Sequence, residues 1–235
     1  MQSIYFVDSN FTYESSKKSI LSIRYATDGF SFCVHDETEK LVVFVHEPYA
    51  ADSREAVVAR LKNYVVNDAI LNLRFKKVYI MPCFKEKLLV PGAFFDKANI
   101  ATLYTVNQEV SPDDTILYHH IEGIEAYLVE TVISSFHDFV REHFPVVQIV
   151  NGAYPFILGA MSKALRDTEQ IFLDIQDNYF DLLFIRDSGI QLFNTFSYKA
   201  MTDIVYFLLN CIKECGINQE KAHLSICGPA LKDNK

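Results

Sequence analysis

Leu173-Asp174-Ile175-Gln176-Asp177-Asn178-Tyr179-Phe180-Asp181-Leu182-Leu183-Phe184-Ile185 is the stretch that decides the fold. Two apolar runs flank a polar centre, which predicts a hairpin of Ile171–Ile175 and Phe180–Ile185. A turn at Asp187-Ser188-Gly189 leads into a third strand, Ile190–Phe196. Thr202 stands where it can cap a helix carrying Ile204, Leu208, Cys211 and Cys215, stopped by Gly216. Ala222–Cys227 follows as a strand.

The same order occurs in the first half. Leu21–Ala26, Phe30–Val34 and Leu41–Val45 read as strands, separated by Thr27-Asp28-Gly29 and by the polar run Asp36–Lys40. Asp52 with Glu55 has the form of a capping box, and Val57, Leu61 and Val65 share one helical face. Val78–Met81 is a buried strand. Setting Leu21 on Ile171 places Ile23 on Leu173, Phe30 on Phe180 and Phe32 on Leu182. A duplicated β-β-β-α-β unit, a mixed sheet with helices on its faces, is the architecture this predicts.

The segment between the copies differs from both. Val90–Phe95 opens a short helix, and Thr115–His120 and Ile124–Glu130 read as strands around Glu122-Gly123. Ser134 or Ser135 can cap a helix with Phe136, Phe139, Val140 and Phe144, ended by Pro145. Val146–Val150, apolar except for Gln148, reads as a short strand, and Pro155 suits the first position of a helix through Leu165.

The chain has 235 residues, half of them hydrophobic, with 19 Phe and 13 Tyr, enough for a packed core. The formal charge is −8 with no basic run, which argues against nucleic acid as a partner. No apolar run has the ~18 residues of a membrane helix, so direct membrane insertion is not expected. The start lacks a signal-peptide pattern, and five cysteines without metal spacing favour a reduced, cytoplasmic setting.

The element order resembles the actin-like ATPase (ribonuclease H-like) superfamily, which includes sugar kinases, heat-shock chaperone ATPases, FtsA and PilM. Three places carry the resemblance. The chaperone hairpin reads Asp-Leu-Gly-Gly-Gly-Thr-Phe-Asp-Val; here, without a gap, stand Asp174 to Leu182. Gln148–Ala160 is similar to the strand-to-helix crossover, and Ser225–Pro229 to a strand ending near the adenosine. Residues 86–145 look like the inserted subdomain of the PilM branch, so the resemblance is closest to PilM and FtsA, in a bacterial family to which it attaches no activity. It implies a first actin-like subdomain over 1–166, with an insertion at about 86–130, and an abbreviated second one over 167–235. One wall of the cleft would then be open.

A phosphate hairpin works through backbone N–H groups, which glycines allow to approach the anion. Asp174 keeps the place from which the family holds Mg²⁺ through water. The glycine positions hold Gln176, Asp177 and Asn178. A carboxylate such as Asp177 about 4 Å from a phosphate costs about 4 kcal/mol at an effective dielectric constant near 20. In the first half, Arg24 corresponds to Asp174. It can meet an anion or pair with a nearby acid. Asp28-Gly29 offers one acid and one glycine, or a plain type I′ turn. Gly228 would pass near a base. Tyr154 stands where the family places the acid that orients water, and a phenol is a poor base at neutral pH. Gly159 and Ala160 keep the small residues that let a helix approach its neighbour.

His119-His120 alternate faces on a strand, and His137 and His143 lack zinc spacing, so no metal site is expected. Cys83 has no histidine partner in the sequence. Phe94, Phe95, Tyr104 and Tyr118 are either the insertion's own core or an exposed patch. The expected function is a non-catalytic protein-interaction or scaffold module, a pseudo-enzyme with a degenerate nucleotide cleft (Arg24, Asp28, Asp174, Gln176, Asp177, Gly228). It would bind another protein or a peptide, with no catalytic residue and no cofactor. The alternative is a divergent ATPase or phosphotransferase using ATP with Mg²⁺ held among Asp174, Asp177 and Asp28.

Overall fold

The computed structural model describes residues 2–228. In chain order the elements are β1 (Ile4–Val7), α1 (Tyr13–Ser16), β2 (Ile20–Ala26), β3 (Gly29–His35), β4 (Leu41–Pro48), α2 (Arg54–Asn67), β5 (Lys77–Pro82) and β6 (Lys87–Pro91). A 3-10 turn at Gly92–Phe94 and α3 (Ile100–Asn107) lead to β7 (Asp114–His120), β8 (Ala126–Ile133), α4 (Ser134–His143) and β9 (Val147–Ile149). The remainder is α5 (Ala153–Met161), β10 (Glu169–Ile175), β11 (Tyr179–Arg186), β12 (Gly189–Ser197), α6 (Met201–Glu214) and β13 (His223–Cys227). The fold is mixed α/β. No described helix is long and apolar enough to cross a membrane.

The duplication is visible in the pairing. One sheet has the order β1-β4-β3-β2-β5-β9 and another β12-β11-β10-β13. In both, the first strand of the repeat pairs antiparallel with the second and parallel with the strand after the helix. Leu21, Ile23 and Tyr25 face Val34, Phe32 and Phe30. Ile171, Leu173 and Ile175 face Phe184, Leu182 and Phe180. The offset that sets Leu21 on Ile171 carries each pair onto its counterpart. A third sheet has the order β6-β8-β7.

Two compact units form. Unit one covers residues 2–84, 109–117 and 130–152; unit two covers 85–108, 118–129 and 153–228. These limits follow contacts, whereas the 1–166 and 167–235 division follows the repeat. In unit one, β2 alternates: Leu21, Ile23 and Tyr25 are buried, while Ser22 and Arg24 on the other face are half-buried. The buried face packs on Val57, Leu61 and Val65 of α2 and on Phe136 and Val140 of α4. Each such side chain contributes about 1.5–3 kcal/mol.

Unit two reads differently because its central strands are covered twice. Leu173, Phe180, Leu182 and Phe184 pack with Ile204, Cys211 and Ile212 of α6. Phe172, Leu183 and Ile185 pack with Ala153, Ile157 and Ala160 of α5. Burial on both faces explains the apolar run Leu182–Ile185 in β11. At the edge of this sheet, every residue of β13 is exposed.

Several local expectations are corrected. Ser53, not Asp52, caps α2, accepting from the Ala56 N–H. Ala200, not Thr202, is the cap residue of α6, where the Asp203 carboxylate accepts from Lys199 N and Ala200 N. Ser134 and Ser135 lie inside α4. Pro155 is the third residue of α5, still within the turn whose N–H groups lack helical partners. Gly216, at φ +61°, follows the end of α6 as expected.

Candidate functional site

The second-half hairpin closes on itself. Gln176 N–H donates to Tyr179 O (2.9 Å), leaving Asp177 and Asn178 as the two linking residues, both exposed. Asp174 lies one residue before the end of β10, and Gln176 Nε2 donates to its Oδ2 at 2.8 Å. Gln176 is only 8 % exposed, with its amide held against the Asp174 carboxylate at the strand end. Tyr198, just beyond β12, lashes the tip down: its hydroxyl donates to Gln176 O (2.6 Å) and its N–H to Asn178 O (3.1 Å). Burial, then the Asp177 charge, raises the Tyr198 pKa.

On the other side of β10, Cys227 pairs in register with Asp174. Its sulfur lies 3.8 Å from Asp174 Oδ1 and donates to Leu173 O at 3.4 Å. Although Cys227 is exposed as a residue, partial desolvation of its sulfur against β10, then the Asp174 charge, pushes this thiol up to about 11, so it stays protonated at neutral pH and is a poor nucleophile. Gly228 has φ +119°, and a Cβ on it would lie 2.6 Å from Ile175 N and closer still to Ile175 O. The glycine is required by backbone contact with β10. Asp174, Gln176 and Gly228 therefore meet around the end of one strand, while Asp177 is turned outward with the hairpin tip.

Arg24 and Asp28 belong to unit one and meet each other. Arg24 Nη1 lies 3.2 Å from Asp28 Oδ1. Of the two alternatives open to Arg24, its described contact is the acid. Thr27 and Asp28 form the two-residue link between β2 and β3, and neither has positive φ, so this turn is not type I′. Gly29, at φ +147°, is needed because a Cβ would lie 2.6 Å from Glu47 O. The type I′ conformation occurs instead at Asp187 (φ +53°) and Ser188 (φ +65°), between β11 and β12.

At the crossover, Ala160 is buried against its neighbours, but a Cβ on Gly159 would meet nothing within 4 Å. Only Ala160 has the packing role expected of both. Tyr154 packs at the rim of the same cluster. His119 is half-buried, with burial lowering its pKa, and His120 is exposed. Among the described residues, no three His, Cys, Asp or Glu side chains are grouped to hold a metal ion. The insertion's aromatics divide. Tyr104 is buried and donates to Glu86 O (2.9 Å), Phe95 stacks on Tyr127 at 3.7 Å, and Phe94 is exposed.

Two buried polar groupings had no motif to announce them. Lys87 Nζ lies 2.8 Å from Asp181 Oδ1, with both side chains almost fully buried. Thr195 Oγ1 donates to the same oxygen (2.6 Å), and Lys87 stands 4.5 Å over the Tyr179 ring. The only sequence signal was an acid inside an apolar strand, which demands a partner. In unit one, Arg54 binds Asp114 (3.3 Å) and Thr131 O (3.0 Å), and Asn151 Nδ2 donates to Glu130 Oε2 (2.7 Å).

Comparison with solved structures places this architecture. A Bacteroides thetaiotaomicron protein with actin-like ATPase fold and unknown function superposes with a TM-score of 0.87 at 24 % identity, over 95 % of this chain and 86 % of that one. A PilM–PilN type IV pilus biogenesis complex gives a TM-score of 0.43 at 11 % identity, over 85 % of this chain and 66 % of that one. An Aquifex aeolicus member of the Ppx/GppA family gives 0.37 at 10 % identity, over 83 % and 61 %. The first of these matches shows that the fold is that of the actin-like ATPases. No curated protein matches the sequence. The family model described as "Protein of unknown function (DUF3822)" matches residues 8–235, and the chain belongs to that family.

Proposed function

We propose that the protein is a non-catalytic interaction module, an actin-like fold whose nucleotide site has degenerated and which binds another protein or a peptide. One observation carries the reading: the Gln176 amide occupies the strand end and is hydrogen-bonded to Asp174. A triphosphate would need that space and would need Asp174 turned to metal-bound water. Gln176 also spends its backbone N–H on Tyr179 O, so this N–H closes the hairpin instead of facing an anion. The hairpin does not fit the nucleotide its fold family binds. Five free cysteines support a reducing, cytoplasmic setting.

The second reading, a divergent ATPase or phosphotransferase, is favoured by the survival of Asp174 alone. Thermal unfolding with ATP and Mg²⁺ separates the two. A ligand at 100 times its Kd stabilises by about 2.7 kcal/mol, or several degrees for a chain of this size. The interaction reading expects no such shift. A clear shift that disappears in Asp174→Ala overturns it. Affinity capture from the native cell gives the positive half of the test: a stoichiometric protein partner is expected, and repeated failure to recover one counts against the proposal.

A further inference from the structure

The two copies of the β-β-β-α-β unit are not covered alike. α2 and α6 each have fourteen residues. Setting Arg54 on Met201 puts Val57, Leu61 and Val65 on Ile204, Leu208 and Ile212, all turned to their cores, and puts Val58 and Lys62 on Val205 and Leu209. The strands that follow match through their register. Val78 and Ile80 pair with Leu21 and Ile23 of β2, as Leu224 and Ile226 pair with Ile171 and Leu173 of β10. In unit one these positions are enclosed: Val58, Val78 and Ile80 are buried. α4 lies along this flank of α2, where Lys62 Nζ donates to Ser135 O (2.9 Å), and its Phe136 and Val140, with Phe144 just beyond, enter the core at i, i+4 and i+8. β9 then closes the sheet, parallel to the outer edge of β5, with Val147 on Val78 and Ile149 on Ile80.

In unit two the counterparts are open. Val205, Leu209, Leu224 and Ile226 are each about half exposed. They border one seat. Phe207 stacks on Phe196, so its flank of α6 points towards β12. Val205 and Leu209, each two residues from Phe207, lie about 160° round the helix and point the other way. That is the end of the sheet where β13 is the last strand. Leu224 and Ile226 share the face of Ile171 and Leu173, on which α6 packs. Among the described residues, no strand pairs with the outer edge of β13. His223-Leu224-Ser225-Ile226-Cys227 carries none of the lysines or prolines that protect a free edge, and Leu209 stands where unit one has Lys62.

We infer that this seat docks an amphipathic helix running into a short apolar strand, contributed by a partner polypeptide. The helix lies beside α6 over Leu224 and Ile226, as α4 packs with α2, Val78 and Ile80, and the strand adds parallel to β13, as β9 adds to β5. The helix presents large apolar side chains at i, i+4 and i+8. With Leu209 in the place of Lys62, its contact with α6 is apolar. In a second copy of the chain α4 and β9 are already built into unit one, so that copy offers no free segment of this form among its described residues. The inference deepens the interaction reading and rests on it.

The test selects a phage-displayed library on the intact chain, patterned on residues 134–150 as a helix followed by an extended segment, and titrates the best synthetic peptide by calorimetry. Selected sequences should carry large apolar residues at i, i+4 and i+8. Affinity should fall at least tenfold in Leu209→Glu and in Ile226→Glu and stay at the wild-type value in Tyr206→Ala, a residue outside the seat. Hydrogen exchange at the β13 amides that do not face β10 should be fast in the free chain and slow once the peptide is bound. The substituted side chains are half exposed, so the variants should keep the wild-type melting temperature; one that does not is replaced by Leu209→Gln or Ile226→Thr. No enrichment, enriched sequences without that spacing, or equal affinity in the variants overturns the assignment. So does a seat already filled in the free chain: protected β13 amides in a monomer mean that the chain covers its own edge, and a dimer dissociated by Leu209→Glu means that a second copy does. Those outcomes leave the broader reading to the native capture, where a partner retained by Leu209→Glu would show that the protein binds its partner elsewhere.

Discussion

Gly228 and Gly159 both sit in stretches that resemble family motifs, yet they answer to different physics. Gly228 combines φ +119° with backbone contact to Ile175, so a side chain there is both strained and clashing. Gly228→Ala should cost about 2 kcal/mol or more in urea unfolding. Gly159 lies in α5 with open space around its missing Cβ, so Gly159→Ala should stabilise by about 0.5–1 kcal/mol. Equal effects of the two substitutions would refute this reading of the glycines. Glu169 gives a pH signature at the same scale. Asn218 N–H donates to its Oε2 at 2.7 Å and Arg186 Nε to its Oε1 at 2.9 Å, which together hold its carboxyl below the usual 4.5, the Asn218 N–H most of all. A depressed folded pKa means the contribution is present above the unfolded value and is lost as pH falls through the folded one. The stability gap between wild type and Glu169→Gln should therefore be widest near neutral pH and close in acid below about pH 4. A gap that stays constant across that range would show that the carboxylate makes no such contribution.

At the scale of elements, the strands of the two repeats were legible and their ends were not, while β1 and β6 were not foreseen and Val90–Pro91, expected to open a helix, close β6 instead. The offset that aligns the two halves in sequence also carries the β2–β3 pairs onto the β10–β11 pairs, because alternation and strand length are local properties. Caps slid by a residue or two because cap-competent side chains are neighbours: Asp52 beside Ser53, Thr202 beside Asp203. Which of them acts depends on where the extended backbone stops. Ser53 has φ −149° and ψ 161°, and its hydroxyl accepts from Ala56 N at 3.2 Å. Ser53→Ala should cost about 1 kcal/mol, whereas Asp52→Ala should stay within about 0.5 kcal/mol of wild type. Chemical denaturation of both variants decides the point, and the reverse ranking would restore Asp52 as the cap. The turns followed the same logic. Asp-Gly at 28–29 matched a type I′ pattern, but the left-handed pair formed at Asp187-Ser188, with Gly189 just after the link and not within it.

For the whole molecule, what escaped the sequence is what depends on distant chain meeting distant chain. The lack of glycines in the hairpin could be read from the sequence, but the placement of Gln176 on Asp174 needed the folded strand end. Asp181 could be seen as an acid in an apolar strand, yet its partner comes from the insertion, far earlier in the chain. Lys87 begins β6, and through Asp181 it ties that segment to the central strand of the second repeat inside unit two. A buried ion pair of this kind contributes little net stability over an apolar pair but is costly to break on one side, because the remaining charge is left without compensation. Lys87→Met should therefore destabilise by about 3–5 kcal/mol, and Lys87→Met/Asp181→Leu should regain most of the loss. Urea midpoints of the two variants test this. If the single variant unfolds at the wild-type midpoint, the pair does not hold the insertion; if the double variant is as unstable as the single, the loss comes from packing around β6 and not from a stranded carboxylate.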